Sequence, residues 1–176
     1  MAHMAQHDRC AQWARMGAGK TLATLTSVAA AVELDQDPVL IIGPKRVARK
    51  TWPEEALAWP HLRHLNVTPI LGTVTQRLAA LSRDTNVYTI NYENLPWLAE
   101  QVEKGKLHWK WDMVIADEAT ALSSFRTRQG GQRTKALAKF AFTHVRRWIN
   151  LTGTPSLKRL ESLWGQTWFL DRGQRL

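Results

Sequence analysis

The chain is 176 residues long, with 44% hydrophobic and 22% charged residues, which fits one soluble globular domain and excludes a disordered or fibrous polymer. A net charge of +9 and a pI near 10.2 point to a polyanionic partner, nucleic acid before membrane surface. Its single cysteine, Cys10, excludes an internal disulfide and a cysteine zinc site and fits a reducing, cytoplasmic setting. No stretch has the apolar core of a signal peptide or the length of a membrane span.

Met1-Ala2-His3-Met4 reads as a start-site remnant. Cys10 to Ala14 is a short apolar strand. It enters the turn Arg15-Met16-Gly17-Ala18-Gly19-Lys20-Thr21, and a helical pattern from Thr21 to Leu34 leaves it. Val39-Leu40-Ile41-Ile42 is apolar throughout, as in a strand buried on both faces of a parallel sheet. The basic run Lys45 to Lys50 follows it. A helix then starts near Pro53, with Trp52, Ala56 and Trp59 on its buried side; the tryptophan pair reads as packing rather than as a base-stacking platform. Val67 to Leu71 is a strand whose Pro69 predicts an edge position. Gln76 to Leu81 is a short helix, Val87 to Ile90 a strand, and Leu95 to Lys104 a helix closed by Gly105.

Met113-Val114-Ile115-Ala116 is a further buried strand, running into Asp117-Glu118-Ala119-Thr120. Ser123 to Gln132 is polar and reads as an exposed loop carrying Arg126, Arg128, Gly130 and Gly131. Arg133 to Phe142 is an amphipathic helix. Arg147 to Leu151 is the last strand and ends in Thr152-Gly153-Thr154-Pro155. Glu161 to Leu170 is helical, with Leu160, Leu163, Trp164 and Trp168 on one face. Strands alternating with helices predict an α/β fold of three layers around a mostly parallel sheet.

Strand, glycine turn and helix give the motif at 15–21 its chemistry. Gly17 and Gly19 let successive N–H groups converge on an anion, and the helix N-terminus adds partial positive charge. Gly17, Ala18, Gly19, Lys20 and Thr21 are the candidate nucleotide contacts: Lys20 for the outer phosphates, the Thr21 hydroxyl for magnesium. The strict pattern has glycine where this chain has Ala14. Two adjacent carboxylates at a strand end suit the same chemistry, with Asp117 holding the metal through water and Glu118 deprotonating the attacking water. Thr152 and Thr154 leave their strand toward the same edge.

Taken in order, these segments resemble the first motor lobe of superfamily 2 helicases, in the Swi/Snf-like branch found in phage and prophage proteins. Met16-Gly17-Ala18-Gly19-Lys20-Thr21 is similar to motif I, Ile41-Ile42-Gly43-Pro44-Lys45-Arg46-Val47 to motif Ia, and Val87-Tyr88-Thr89-Ile90-Asn91-Tyr92-Glu93 to motif Ib. Ile115-Ala116-Asp117-Glu118-Ala119-Thr120 resembles the DEAD/H box, and Leu151-Thr152-Gly153-Thr154-Pro155 motif III. The resemblance implies a RecA-like P-loop lobe of an ATP- and magnesium-using, DNA-dependent ATPase of helicase type. Lys20, Asp117 and Glu118 are its catalytic residues by that resemblance. Thr152 and Thr154 couple the nucleotide site to DNA, and Lys45 and Arg46 contact the phosphates of duplex DNA. Arg126 and Arg128 join them as basic candidates. The chain departs from the family at Arg15, often acidic, at Thr120, elsewhere His or Asp, and at Lys158, commonly Asn. The whole of 1–176 reads as one lobe, with the second lobe and its arginine finger lying outside it. Two other readings stay open: a catalytically silent nucleic-acid-binding module, and a stand-alone P-loop phosphotransferase using the Ser123–Arg133 loop as a lid.

Overall fold

The structure, a computed structural model, describes residues 2–15, 17–35, 37–125, 131–155 and 161–174. Met16, Arg126, Arg128, Gly130, Lys158 and Leu160 lie outside the described residues. Six strands form one sheet: β1 (Arg9–Trp13), β2 (Val39–Gly43), β3 (Val67–Ile70), β4 (Val87–Asn91), β5 (Met113–Asp117) and β6 (Arg147–Thr152). Their order across the sheet is β1-β6-β5-β2-β4-β3, and every neighbouring pair is parallel. The α-helices are α1 (Ala2–Gln6) before the first strand, α2 (Lys20–Asp35), α3 (Trp52–Ala58), α4 (Val74–Leu81), α5 (Leu95–Glu103) and α6 (Gln132–Ala141) between strands, and α7 (Glu161–Asp171) after the last.

The two-residue period of the strands sorts their side chains into two cores. Val39, Ile41, Met113, Ile115 and Ile149 face Leu25 and Val28 of α2 and Trp52 of α3. Leu40, Ile42, Tyr88, Val114 and Trp148 face Leu95 of α5, Leu137 of α6 and Phe169 of α7. β2 and β4 are buried along their whole length; β2 is apolar apart from its closing glycine, while β4 also buries Thr89 and Asn91, which donate to Ala48 O and Glu93 Oε2. This is the three-layer, RecA-like α/β arrangement that the chain order predicts. Among the described residues no helix is long and apolar enough to cross a membrane.

β3 is an edge strand, as Pro69 requires. Val87 N–H donates to Asn66 O at 3.1 Å, so the alternation along β3 turns the Pro69 nitrogen to the open side, where no ladder bond is lost. α4 starts two residues before the predicted Gln76, because Thr73 and Gln76 form a reciprocal capping box.

α1 buries Met4 to 2% exposure in the α2-side core, and Arg147 Nη2 donates to Met4 O at 2.9 Å. Two expectations are corrected. Trp59 does not share the buried side of α3. Pro60 forces the preceding residue out of the helix, so Trp59 sits extended at φ −106, is 41% exposed, and donates its indole N–H to Glu55 Oε2. The stretch 123–132 is not wholly an exposed loop. Phe125 is buried against Trp164, Trp168 and Phe169, because an aromatic ring in a polar run still seeks the core.

Candidate nucleotide site and adjoining basic edge

Parallel pairing puts the C-terminal ends of all six strands on one edge of the sheet, where open α/β sheets bind ligands. At the end of β1 the chain turns into α2 through Gly17 at φ 78 and Gly19 at φ 72. An L side chain is strained at either value, so glycine is required by backbone conformation. A Cβ on either would meet nothing within 4 Å. Lys20 opens α2, and its Nζ donates to Ala14 O at 2.7 Å and Arg15 O at 2.9 Å, which holds the ammonium across the loop. Thr21 follows in the first turn, half-buried.

β6 lies between β1 and β5 and joins the two halves of the site. Thr152, at its end, is 3% exposed. Its carbonyl accepts Ala14 N–H at 3.2 Å and its Oγ1 accepts Thr154 N–H at 3.1 Å, so motif III is bonded to the base of the glycine turn. Thr154 itself is exposed.

Asp117 ends β5. Its Oδ1 accepts Glu118 N–H at 3.0 Å, and its Oδ2 accepts the Trp52 indole N–H at 3.1 Å. Its backbone carbonyl accepts the Tyr92 hydroxyl at 2.8 Å. Burial raises the Asp117 carboxyl above the usual carboxylate range. The Glu118 and Trp52 hydrogen bonds oppose that rise, the Glu118 charge adds to it, and the Lys20 charge opposes it. The last of these effects places Lys20 and Asp117 within electrostatic reach of each other. Burial, with the charges of Asp117 and Glu118, likewise pushes the Tyr92 phenol well above its ordinary value. Glu118 is exposed and sits in the left-handed region at φ 52, ψ 55.

The donor set fits magnesium. An ionised carboxylate offers about four lone-pair sites, and two are taken by N–H donors. Magnesium commonly uses one or two carboxylates or hydroxyls together with substrate phosphates and water.

Lys45 and Arg46 are exposed just beyond β2, on the same edge. With Gly72, Thr73, Asn91 and Asn94, Lys45 lines an open groove of about 780 Å³. Arg133, from the lid candidate, pairs with Glu93 Oε1 at 3.1 Å. Arg126 and Arg128 lie outside the described residues, so their candidacy rests on sequence alone. The structure thus gathers Gly17, Ala18, Gly19, Lys20, Thr21, Asp117, Glu118, Thr152 and Thr154 at one strand edge, with Lys45 and Arg46 beside them. Sequence reading missed Trp52 and Tyr92 as partners of Asp117. Trp52 carried a signal only through its place after the basic run, and Tyr92 only through motif Ib.

Residues 13–174 match the SNF2-related domain family. The putative protein p41 of Acyrthosiphon pisum secondary endosymbiont phage 1 is 49% identical over 99% of this chain, which spans 38% of that protein. The Sulfolobus solfataricus SWI2/SNF2 ATPase core, solved in complex with dsDNA, superposes with a TM-score of 0.75 at 24% identity, covering 98% of this chain and 34% of that one. The Pyrococcus furiosus Hef helicase domain superposes at 0.71 with 17% identity, over 96% and 34% of the two chains. The fold is therefore shared with these two cores, and the chain belongs to the SNF2-related domain family.

Proposed function

We propose that this lobe binds ATP with magnesium and forms one side of a DNA-dependent ATPase of helicase type, acting with a second RecA-like lobe. A cytoplasmic setting goes with that role. The observation that carries the reading is the convergence of a glycine turn and two carboxylates across β6, with Thr152 hydrogen-bonded to the base of the turn. Gly17, Ala18 and Gly19 present backbone N–H groups to the phosphates, and Lys20 neutralises their charge. Thr21 and Asp117 would hold magnesium, which neutralises charge developing on the phosphoryl group. Glu118, exposed at the cleft, accepts the proton of the attacking water. Thr152 and Thr154 connect this chemistry to the DNA-facing side. Lys45 and Arg46, with Arg126 and Arg128, meet duplex phosphates. The DNA complex of the similar Sulfolobus core supports DNA as the polyanion.

The test is a magnesium titration with a fluorescent ADP or ATP analogue. Lys20→Ala is expected to abolish binding, and Glu118→Gln to spare it, because Glu118 acts on water rather than on the nucleotide. Equal affinity in wild type and Lys20→Ala would overturn the assignment.

A further inference from the structure

Trp52 is completely buried, yet its one polar atom is directed at a carboxylate rather than left unpaired. That bond is not forced by burial. The Nε1 atoms of Trp97 and Trp111 are buried without a hydrogen-bond partner, so this fold tolerates an unpaired indole. The bond completes a set of restraints on Asp117. One carboxylate oxygen takes the Trp52 N–H and the other takes the Glu118 N–H. The backbone carbonyl takes the Tyr92 hydroxyl. On the neighbouring strand stands Gly43, where a Cβ would come within 3.4 Å of the Asp117 Cβ. Each oxygen keeps lone pairs directed away from its N–H donor, so the carboxylate plane is fixed while the metal-facing positions stay free.

Trp52 also ends a short path from the basic edge. Between Arg46 and Trp52 runs one turn of π-helix, Val47–Thr51, carrying Arg49 and Lys50. The backbone N–H of Trp52 donates to Val47 O across that turn. Thr89 Oγ1 of β4 donates to Ala48 O at 2.6 Å, and Ala48 is buried. Single π-turns are rare and concentrate at functional sites. One tethered turn therefore connects the exposed basic side chains to the indole, and the indole to Asp117.

We propose that Trp52 is the positioning residue of the Asp117 carboxylate and links nucleic acid bound on residues 45–50 to the affinity for magnesium nucleotide. This rests on the function proposed above. The route differs from Thr152 and Thr154, since it enters the site from α3 on the other side of β5. Linkage makes the effect reciprocal: duplex DNA changes magnesium–ADP affinity by the same factor as magnesium–ADP changes DNA affinity.

The test compares wild type with Trp52→Phe, which keeps an aromatic ring and removes the N–H. Fluorescent ADP is titrated in EDTA and in magnesium, with and without short duplex DNA, on protein verified as folded by circular dichroism. Affinity in EDTA is expected to stay at the wild-type value. Magnesium-dependent affinity should fall about 10-fold, the usual lower bound for losing a partner of a metal-holding group. The change in affinity caused by DNA should disappear. A purely structural tryptophan would lower both affinities together or neither, and either pattern overturns the proposal. If Trp52→Phe does not fold, the wild-type indole N–H resonance of Trp52, assigned by triple-resonance NMR, decides. It should move on adding magnesium–ADP and again on adding duplex, and a signal unmoved by both overturns the link. A wild type that binds no nucleotide removes the parent reading and this one with it. A wild type that binds beside an identical Trp52→Phe removes only the role of Trp52.

Discussion

Glu118 occupies a backbone conformation that an L residue adopts at a cost of about 1–2 kcal/mol, at φ 52 and ψ 55. Its side chain is exposed, so no burial of its own offsets the strain. The conformation is held from both sides. Glu118 N–H is bonded to Asp117 Oδ1, and Glu118 O accepts Ala121 N–H at 2.9 Å in the turn Ala119–Leu122. Strain retained beside a candidate catalytic carboxylate is the kind that orients a reacting group. Comparing Glu118→Gly with Glu118→Ala isolates it, since both remove the carboxylate. Glycine escapes the left-handed penalty but loses about 0.5–1 kcal/mol through the greater freedom of its unfolded chain. The balance, up to about 1.5 kcal/mol, favours glycine, at about 2–4 °C in melting temperature per kcal/mol for a domain of this length. Thermal denaturation of the two variants measures it. At an unstrained position alanine would melt higher, so that order would show that φ at 118 is not strained. The adjacent acids were legible in the sequence because two charges after a buried run stand out. The sign of φ was not, because it follows from the turn that both neighbours impose.

The strands and most helices were legible from periodicity, which is a local property. β2 and β5 were readable as continuous apolar runs, and β3 was readable as an edge from Pro69 alone. What escaped depends on contacts between elements distant in sequence. Trp52 reaches Asp117 across 65 positions, and Arg9 of β1 donates to Ala141 O at the end of α6, to Val145 O before β6 and to Phe169 O in the last turn of α7. Neither pairing leaves a periodic trace. The packing of α7 is of the same kind and can be tested. Gly165 lies where a Cβ would stand 2.5 Å from Leu122 O and 2.9 Å from Ser123 O, both backbone atoms. α7 therefore rests against the turn that immediately follows Asp117 and Glu118. Backbone cannot rotate aside as a side chain does, so Gly165→Ala must push helix and turn apart. The expected loss is about 1–3 kcal/mol, the range for overpacking a close-packed contact, read from urea denaturation. An unchanged midpoint would mean that α7 does not bear on the turn.

The whole molecule combines a sheet whose six strands end on one edge with an excess of nine positive charges. Net charge alone draws any polyanion and does not say where it binds. Topology narrows the choice, because Lys45 and Arg46 leave β2 at the nucleotide edge, whereas Arg83 and Lys106 lie in the loops that lead into β4 and β5 at the opposite edge. All four are exposed. Duplex binding through backbone phosphates weakens with salt at a log–log slope of about −0.9 per phosphate neutralised. Replacing Lys45 and Arg46 together by glutamine should flatten that slope by roughly one to two units. The same exchange at Arg83 and Lys106 changes net charge equally and should leave the slope as in wild type. Fluorescence anisotropy of labelled duplex across a salt series gives both slopes. Equal flattening by the two pairs would mean that the charge acts diffusely over the surface, and the basic edge would then lose its claim to be where DNA is held.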